Sequence, residues 1–277
     1  MKKKILAVLL IATMVLSGVA CAKDKGKGSS SGGSGEVGSA NVEDAYEDFR
    51  FTGPSTNRKI SGLSDTGMQK ETLVIPAGYK VTANFSFGVV KHITFESDDD
   101  IDVTHCFGSC KTLETIELPA NLTTLPSFGS CESLQEITIP EGITEIPYYS
   151  FSGCKSLESV NILGDVTSIG REAFKDCKNL KTINLPDSIT FIDDNAFKGC
   201  EVVTEITLPS GLKEVGQLAL ADIGLETIIV PEGMELEKWD SAAFGQLHTY
   251  TVKVKEGSWA DIHFDEVFTK MAEKEYY

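Results

Sequence analysis

Cysteine recurs at positions 110, 131, 154, 177 and 200, and each copy brings the same frame with it. Three of the four gaps are 23 residues long. The cleanest copy runs Cys177, Leu180, Ile183, Leu185, Pro186, Ile189, Ile192, Phe197, Cys200. Self-similarity at a period of roughly 20 to 50 residues marks a solenoid, because one such unit cannot bury its apolar edge except against the next copy. The chain therefore grows by stacking, and its 277 residues give a repeat count instead of a domain count.

Within a repeat, Leu, Ile and Leu at spacings of three and two fit a short strand whose inward side chains alternate. The later aliphatic pair and the Phe at 107, 128, 151, 174 and 197 form columns on the opposite wall. One copy is shorter: Leu125 stands three residues before Phe128, which places a deletion in the convex wall. The frame extends upstream through Leu73, Ile75 and Pro76 and through Val90, Ile93 and Phe95. Downstream it continues through Leu225, Ile228, Val230 and Pro231, with Val252 and Val254 as the expected last strand. About nine rungs at the parallel-strand spacing give a stack roughly 40 Å long.

The flanks differ in composition. Lys2, Lys3 and Lys4, an apolar run from Ile5 to Leu16 and small residues up to Cys21 make residues 1–20 an export signal. Leu16-Ser-Gly-Val-Ala-Cys21 resembles a bacterial lipobox, with Cys21 as the lipid attachment point and Gly18 where Leu is commonest. Residues 21–41, rich in Gly, Ser and Lys, cannot bury enough apolar area to order and act as a tether with a reach of ~25 Å. Gly28-Ser-Ser-Ser-Gly32 matches a hydrolase elbow only formally, since the required strand and helix are missing from the pattern. Residues 42–66 are expected to cap the first rung, 67–255 to form the solenoid, and 256–277 to close it with a helix. For that helix, Ser258 and Asp261 offer a capping box, with Trp259, Ile262, Val267, Phe268 and Met271 as its stripe.

These repeats resemble the BspA-like branch of the leucine-rich-repeat family, on copies such as Cys131-Glu-Ser-Leu-Gln-Glu-Ile-Thr-Ile-Pro140 and Ala173-Phe-Lys-Asp-Cys177. The resemblance spans about residues 60–255. It implies a leucine-rich-repeat solenoid, α/β in class by family, mostly of short parallel strands, right-handed and curved. It also implies display outside the cell and a role in adhesion and protein contact. Leu163 in place of Pro, Leu220 in place of Phe and Asp222 in place of Cys depart from the pattern.

Charge narrows the partners. With 41 acidic and 25 basic residues the chain carries −16, and removal of three lysines with residues 1–20 leaves 22 − 41 = −19. Such a surface repels phosphate backbones and anionic headgroups, which argues against nucleic acid and leaves the lipid anchor as the only expected membrane contact. No P-loop, no Ser/His/Asp constellation and no cofactor motif is legible, so an enzyme is not expected. The cysteine ladder reads as buried, reduced thiols, because equivalent side chains on stacked rungs point in parallel and free Cys packs as a small hydrophobe. His105, Cys106 and Cys110 make half a zinc site without a second ligand pair. Asp98, Asp99, Asp100 and Asp102 form an acidic loop without the Gly and Glu of a calcium loop.

The expected function is that of a lipid-anchored, outward-facing, monomeric binding protein for a protein or glycan. A structural spacer, or an accessory subunit holding substrate for a surface enzyme, are the alternatives. Strand alternation points Thr94, Glu117, Thr138, Asn161, Asn184 and Thr207 outward. Beside them run His92, Thr115, Glu136, Ser159, Thr182 and Glu205, so the two columns are expected to form one continuous polar face.

Overall fold

The computed structural model describes residues 46–277, apart from 54–57, 83, 86–87, 99–101, 104–105, 245–248 and 269–270. They belong to one compact unit, Asn41–Tyr277. An antiparallel hairpin opens it, β1 (Phe49–Thr52) with β2 (Lys59–Leu63). The chain then makes one 3-10 turn at Gly67–Gln69 and enters β3 (Thr72–Ile75). Next come β4 (Lys80–Val81), β5 (His92–Phe95), β6 (Thr115–Ile116) and β7 (Glu136–Ile139). From there it alternates between two walls through β8 (Glu145–Ile146), β9 (Ser159–Ile162), β10 (Ser168–Ile169), β11 (Phe191–Ile192) and β12 (Glu205–Thr207). The last full turns carry β13 (Glu214–Val215), β14 (Thr227–Ile229), β15 (Lys238–Trp239) and β16 (Tyr250–Val254). The result is a leucine-rich-repeat solenoid of about nine turns.

Pairing between turns is parallel and in register. Strands β3-β5-β6, β7-β9 and β12-β14-β16 lie along the concave wall, and β8-β10-β11-β13-β15 form the second sheet. The second sheet stops at β8, one turn after the short repeat, where Leu122 and Leu125 are buried but no strand forms. The two missing residues of that repeat thus fall in the wall opposite the concave strands, as its spacing requires. Inside, Leu113, Leu134, Leu157 and Leu180 stack as one buried column.

The most regular part of the molecule is the Phe and Cys column. Phe107, Phe128, Phe151, Phe174 and Phe197 stack nearly parallel, with centroids 5.4, 5.5, 5.1 and 5.2 Å apart and planes within 7°. Stacked aromatic pairs contribute about 0.5–1.5 kcal/mol each beyond the area they bury. Their backbone joins the turns as well, since the Phe128, Phe151, Phe174 and Phe197 N–H groups donate to carbonyls of Ser150, Ala173, Ala196 and Ala219 on the following turn. Each Phe carbonyl accepts the N–H of the Cys three residues on, Cys131 to Phe128 at 2.9 Å and Cys154 to Phe151 at 3.0 Å. It accepts a second bond from the thiol one turn later: Cys131, Cys154, Cys177 and Cys200 Sγ donate to Phe107, Phe128, Phe151 and Phe174 at 3.0–3.3 Å.

The residue before each Cys of the ladder, Ser109, Ser130, Gly153, Asp176 and Gly199, is left-handed, and Asp222 joins the column with φ in the same 53–80° range, so the buried Ile223, and not Asp222 as the spacing suggested, stands in the place of Cys. Only Gly takes that conformation without steric cost, and short polar residues tolerate it, which accounts for Ser, Gly and Asp in that column. At Gly199 a side chain would also meet Asp176 Oδ1 at 2.6 Å.

The C-terminal segment differs from the single closing helix expected of 256–277. Ser258 does cap a helix, accepting the Asp261 N–H at 3.3 Å, but α1 (Trp259–Ile262) is one turn long. It gives way to α2 (Phe264–Val267), and the backbone is extended again at Phe268. The chain then returns as β17 (Ala272–Tyr276), paired in parallel with β16 over five residues. Val252 and Val254 are therefore not on the last strand. An end rung leaves a row of unpaired N–H and C=O groups, and a further strand satisfies those of β16 where a helix could only cover them. Ile262, expected in the buried stripe, is 71% exposed.

Candidate ligand-binding face

Outward residues of the concave strands come from alternation alone, and their alignment comes from the parallel register. Glu136 lies opposite Ser159 and Thr138 opposite Asn161. Ser159 bridges to Thr182, His92 pairs with Thr115, Val74 with Thr94, Glu205 with Thr227 and Thr207 with Ile229. Glu117, Glu136, Thr138, Ser159, Asn161, Thr182, Asn184, Glu205 and Thr207 are exposed; His92, Thr94 and Thr115 are half-buried. His92 Nδ1 lies 2.8 Å from Thr115 Oγ1, so that imidazole is tied to its neighbour on the face.

The ladder of strand pairs behind this face is not continuous. Pairing breaks twice, between β6 and β7 and again beyond β9, so the columns fall into three blocks. At the first break β6 ends at Ile116, and Glu117, whose N–H donates to Ile93 O at 3.0 Å, has no paired partner on the following turn. At the second, the turn of Thr182–Leu185 keeps only the Ser159 bridge, and nothing pairs it to β12. Asn184 is therefore not locked in register with Asn161 or Thr207.

Sequence reasoning missed what the second break uncovers. Val160, Ile162, Ile183 and Leu185 are only half-buried, whereas their counterparts Ile137, Ile139, Ile206 and Leu208 are at most 2% exposed. Together with Phe174, Leu180 and Phe197 they line a shallow opening with room for about one water. Leu163 at its edge is 54% exposed. Leu163 stands where other repeats have Pro. Its N–H, which Pro lacks, donates to Ile139 O at 3.0 Å and ties β9 to β7.

The other candidates resolve differently. The six described cysteines are buried thiols. Burial raises the thiols of Cys154 and Cys177 and pushes Cys200 up to about 12, far from the thiolate that reaction requires. Cys106 donates to Val81 O at 3.6 Å, and His105 lies outside the described residues. Asp98 accepts the Ala120 N–H at 2.8 Å and Asp102 pairs with Lys80, while Asp99 and Asp100 lie outside the described residues. Among the described residues, no three His, Cys, Asp or Glu side chains gather as a metal would need. Cys21, the signal and the tether also lie outside them, and no described helix is long and apolar enough to cross a membrane.

With this geometry in view, comparison with known proteins is direct. The model of the BspA type leucine rich repeat region matches residues 71–128 and 126–251 with six copies. The chain belongs to that family. No curated protein matches it. Among solved structures, a leucine-rich repeat protein from Bacteroides ovatus is 22% identical with a TM-score of 0.40 over 76% of this chain, which spans 64% of that protein. A T. pallidum leucine rich repeat protein is 20% identical with a TM-score of 0.47, covering 82% of this chain and 96% of its own. A leucine rich cell surface protein from Faecalibacterium prausnitzii is 16% identical, TM-score 0.31, over 83% and 93% of the two chains.

Proposed function

We propose that this chain is an exported surface protein, anchored through lipid on Cys21, that binds a protein or glycan partner on its concave face without catalysing a reaction. The observation that carries the reading is the exposed polar face itself. Within each paired block its outward residues are set side by side by a parallel register, and no outward side chain of β7, β9, the Thr182–Leu185 turn or β12 is a cation. Repeat proteins use the extended surface of the stack for partners, and membership of the BspA type family agrees with a surface role. The glutamates at 117, 136 and 205 favour a polar or basic ligand and disfavour nucleic acid. The test is a pull-down from protein and glycan libraries with residues 42–277, repeated with Glu117, Asn161 and Asn184 together changed to Lys. Loss of the captured ligand supports the face. Capture unchanged by the triple variant and abolished by changes in the convex loops rejects it, and silence from every library leaves a spacer. Anchoring is read separately: Cys21→Ser should move the protein from the membrane fraction to the soluble one, and an unchanged distribution rejects it.

A further inference from the structure

The repeat shortened by two residues leaves a step in the wall opposite the concave strands. Aligned on Phe128 and Phe151, Leu125-Pro-Ser-Phe128 lacks the two residues that the next turn has as Tyr148 and Tyr149. Elsewhere the second residue of that pair joins the turns: the N–H groups of Tyr149, Glu172 and Asn195 donate to the carbonyls of Arg171, Asp194 and Gln217 on the following turn. The short turn has no such donor, so the Tyr148 carbonyl accepts no backbone bond from it among the described residues. Gly129 of the short turn lies so near that a side chain there would meet the Tyr149 carbonyl at 3.1 Å. Above that step the two rings form a corner, with centroids 5.8 Å apart, planes at 84°, and Tyr148 71% and Tyr149 43% exposed. The Tyr149 hydroxyl faces the Glu172 carboxylate, which also accepts from Lys175 at 2.8 Å. Arg171, whose carbonyl the Tyr149 N–H reaches, carries an exposed guanidinium.

The surroundings of the rings choose the ligand. Among the described residues, the exposed large aliphatics nearest in sequence, Leu163 and Val202, flank the concave strands β9 and β12 instead of extending this corner. A protein hot spot needs an apolar surround that keeps water out, and these rings sit among Ser127, Arg171 and Glu172. A nucleobase would stack, but its phosphates would meet a chain of net charge −16. A sugar ring meets both demands, with C–H groups for the negative face of an aromatic ring and hydroxyls at its rim for the polar neighbours. We propose that the Tyr148–Tyr149 corner is a binding subsite for a neutral, β-linked hexose chain, separate from the concave face. One pyranose with equatorial hydroxyls lies on the Tyr148 ring with its edge toward Tyr149. Its hydroxyls donate to the Tyr148 carbonyl and accept from Arg171.

The probe is cellotetraose, a β-1,4-linked glucose oligomer, titrated calorimetrically into residues 42–277. Sorbitol, which has the hydroxyls without a ring face, and a polyproline peptide are the controls. Cellotetraose should bind, and neither control should. Tyr148→Ala, at an exposed position, should weaken binding by about tenfold or more through loss of the stacking face. A second variant inserts Asn-Asn between Pro126 and Ser127 to fill the step while both tyrosines stay. Asn suits the second inserted position, since its counterparts Tyr149, Glu172 and Asn195 are left-handed with φ of 56°, 54° and 55°. The insertion should abolish binding, and Tyr148→Ala keeps the test decisive should the insertion fail to fold. The concave-face Lys triple variant should bind cellotetraose as the native chain does. No binding of cellotetraose, equal binding of sorbitol, or an affinity unmoved by Tyr148→Ala overturns the subsite. Capture of the polyproline peptide in place of the sugar overturns it in favour of a protein-docking groove. Loss of cellotetraose in the triple variant alone would move the sugar to the concave face, rejecting this assignment and supporting that one.

Discussion

The Phe and Cys column and the concave sheet are built from the same repeats, yet one is nearly crystalline in its regularity and the other is broken twice. The column has redundancy: each turn is joined to the next by a ring stack, by the Phe N–H and by the Cys thiol. The strands have one ladder each, and a turn that loses register has nothing else to restore it. Irregularity in this solenoid thus collects on the wall with fewest independent links.

The largest expected effect tests this asymmetry directly. Phe151→Ala removes stacking on Phe128 and Phe174 from a site with 0% exposure and should cost about 3–5 kcal/mol. Ile183→Ala, at the half-buried opening, should cost less than half as much in the same chemical-denaturation series. Equal losses would mean that the two walls contribute alike and that the break is not a weak point.

A middle-sized effect separates packing from hydrogen bonding in the cysteines. Taken as small hydrophobes, they should suffer more from Ser than from Ala. The thiol of Cys177, however, donates to Phe151 O at 3.1 Å, and a hydroxyl can keep that bond. Cys177→Ser should therefore be milder than Cys177→Ala, with a difference of about 1 kcal/mol in denaturation midpoint measurements. The reverse order would show that the column is held by apolar contact alone. Either way the native thiol should resist alkylation until the fold opens, because burial holds it protonated.

How much of this was legible follows from where the period is strict. Cys, Leu, Ile and Phe at fixed offsets gave the turns, the inward columns and the short repeat, since each of those depends on side-chain size at one position. Thiol donation was not legible, because nothing in the letters distinguishes a Cys that packs from a Cys that also donates. Nor was the opening at Ile183, because its repeat is the cleanest copy in the sequence. The C-terminal helix failed for a related reason, as the stripe from Trp259 to Met271 could not register that β16 has an open edge waiting for Ala272–Tyr276.

The smallest effect lies at that end of the concave sheet, where one carboxylate does the joining that the Phe column does elsewhere. Asp261, on α1, accepts from Lys274 Nζ at 2.9 Å and from the Tyr276 hydroxyl at 3.1 Å, both on β17, and from the Gly257 N–H at 2.9 Å. Lys274, then the Gly257 N–H and the Tyr276 hydroxyl, hold its carboxyl below the ordinary aspartate value, against a smaller effect of burial in the other direction. A depressed carboxylate binds its proton more readily in the unfolded or detached state. The attachment is therefore fully present above the ordinary aspartate value of about 3.9 and fades as pH falls through the lower folded value. Amide protection over Ala272–Tyr276, corrected for intrinsic exchange, should be flat from neutral pH to about 4 and decline below it. Asp261→Asn keeps acceptors but not charge, and should lower protection of β17 at neutral pH while removing that decline. A variant with the same acid profile as the native chain would place the sensitivity in other carboxylates and leave β17 held by its ladder to β16 alone.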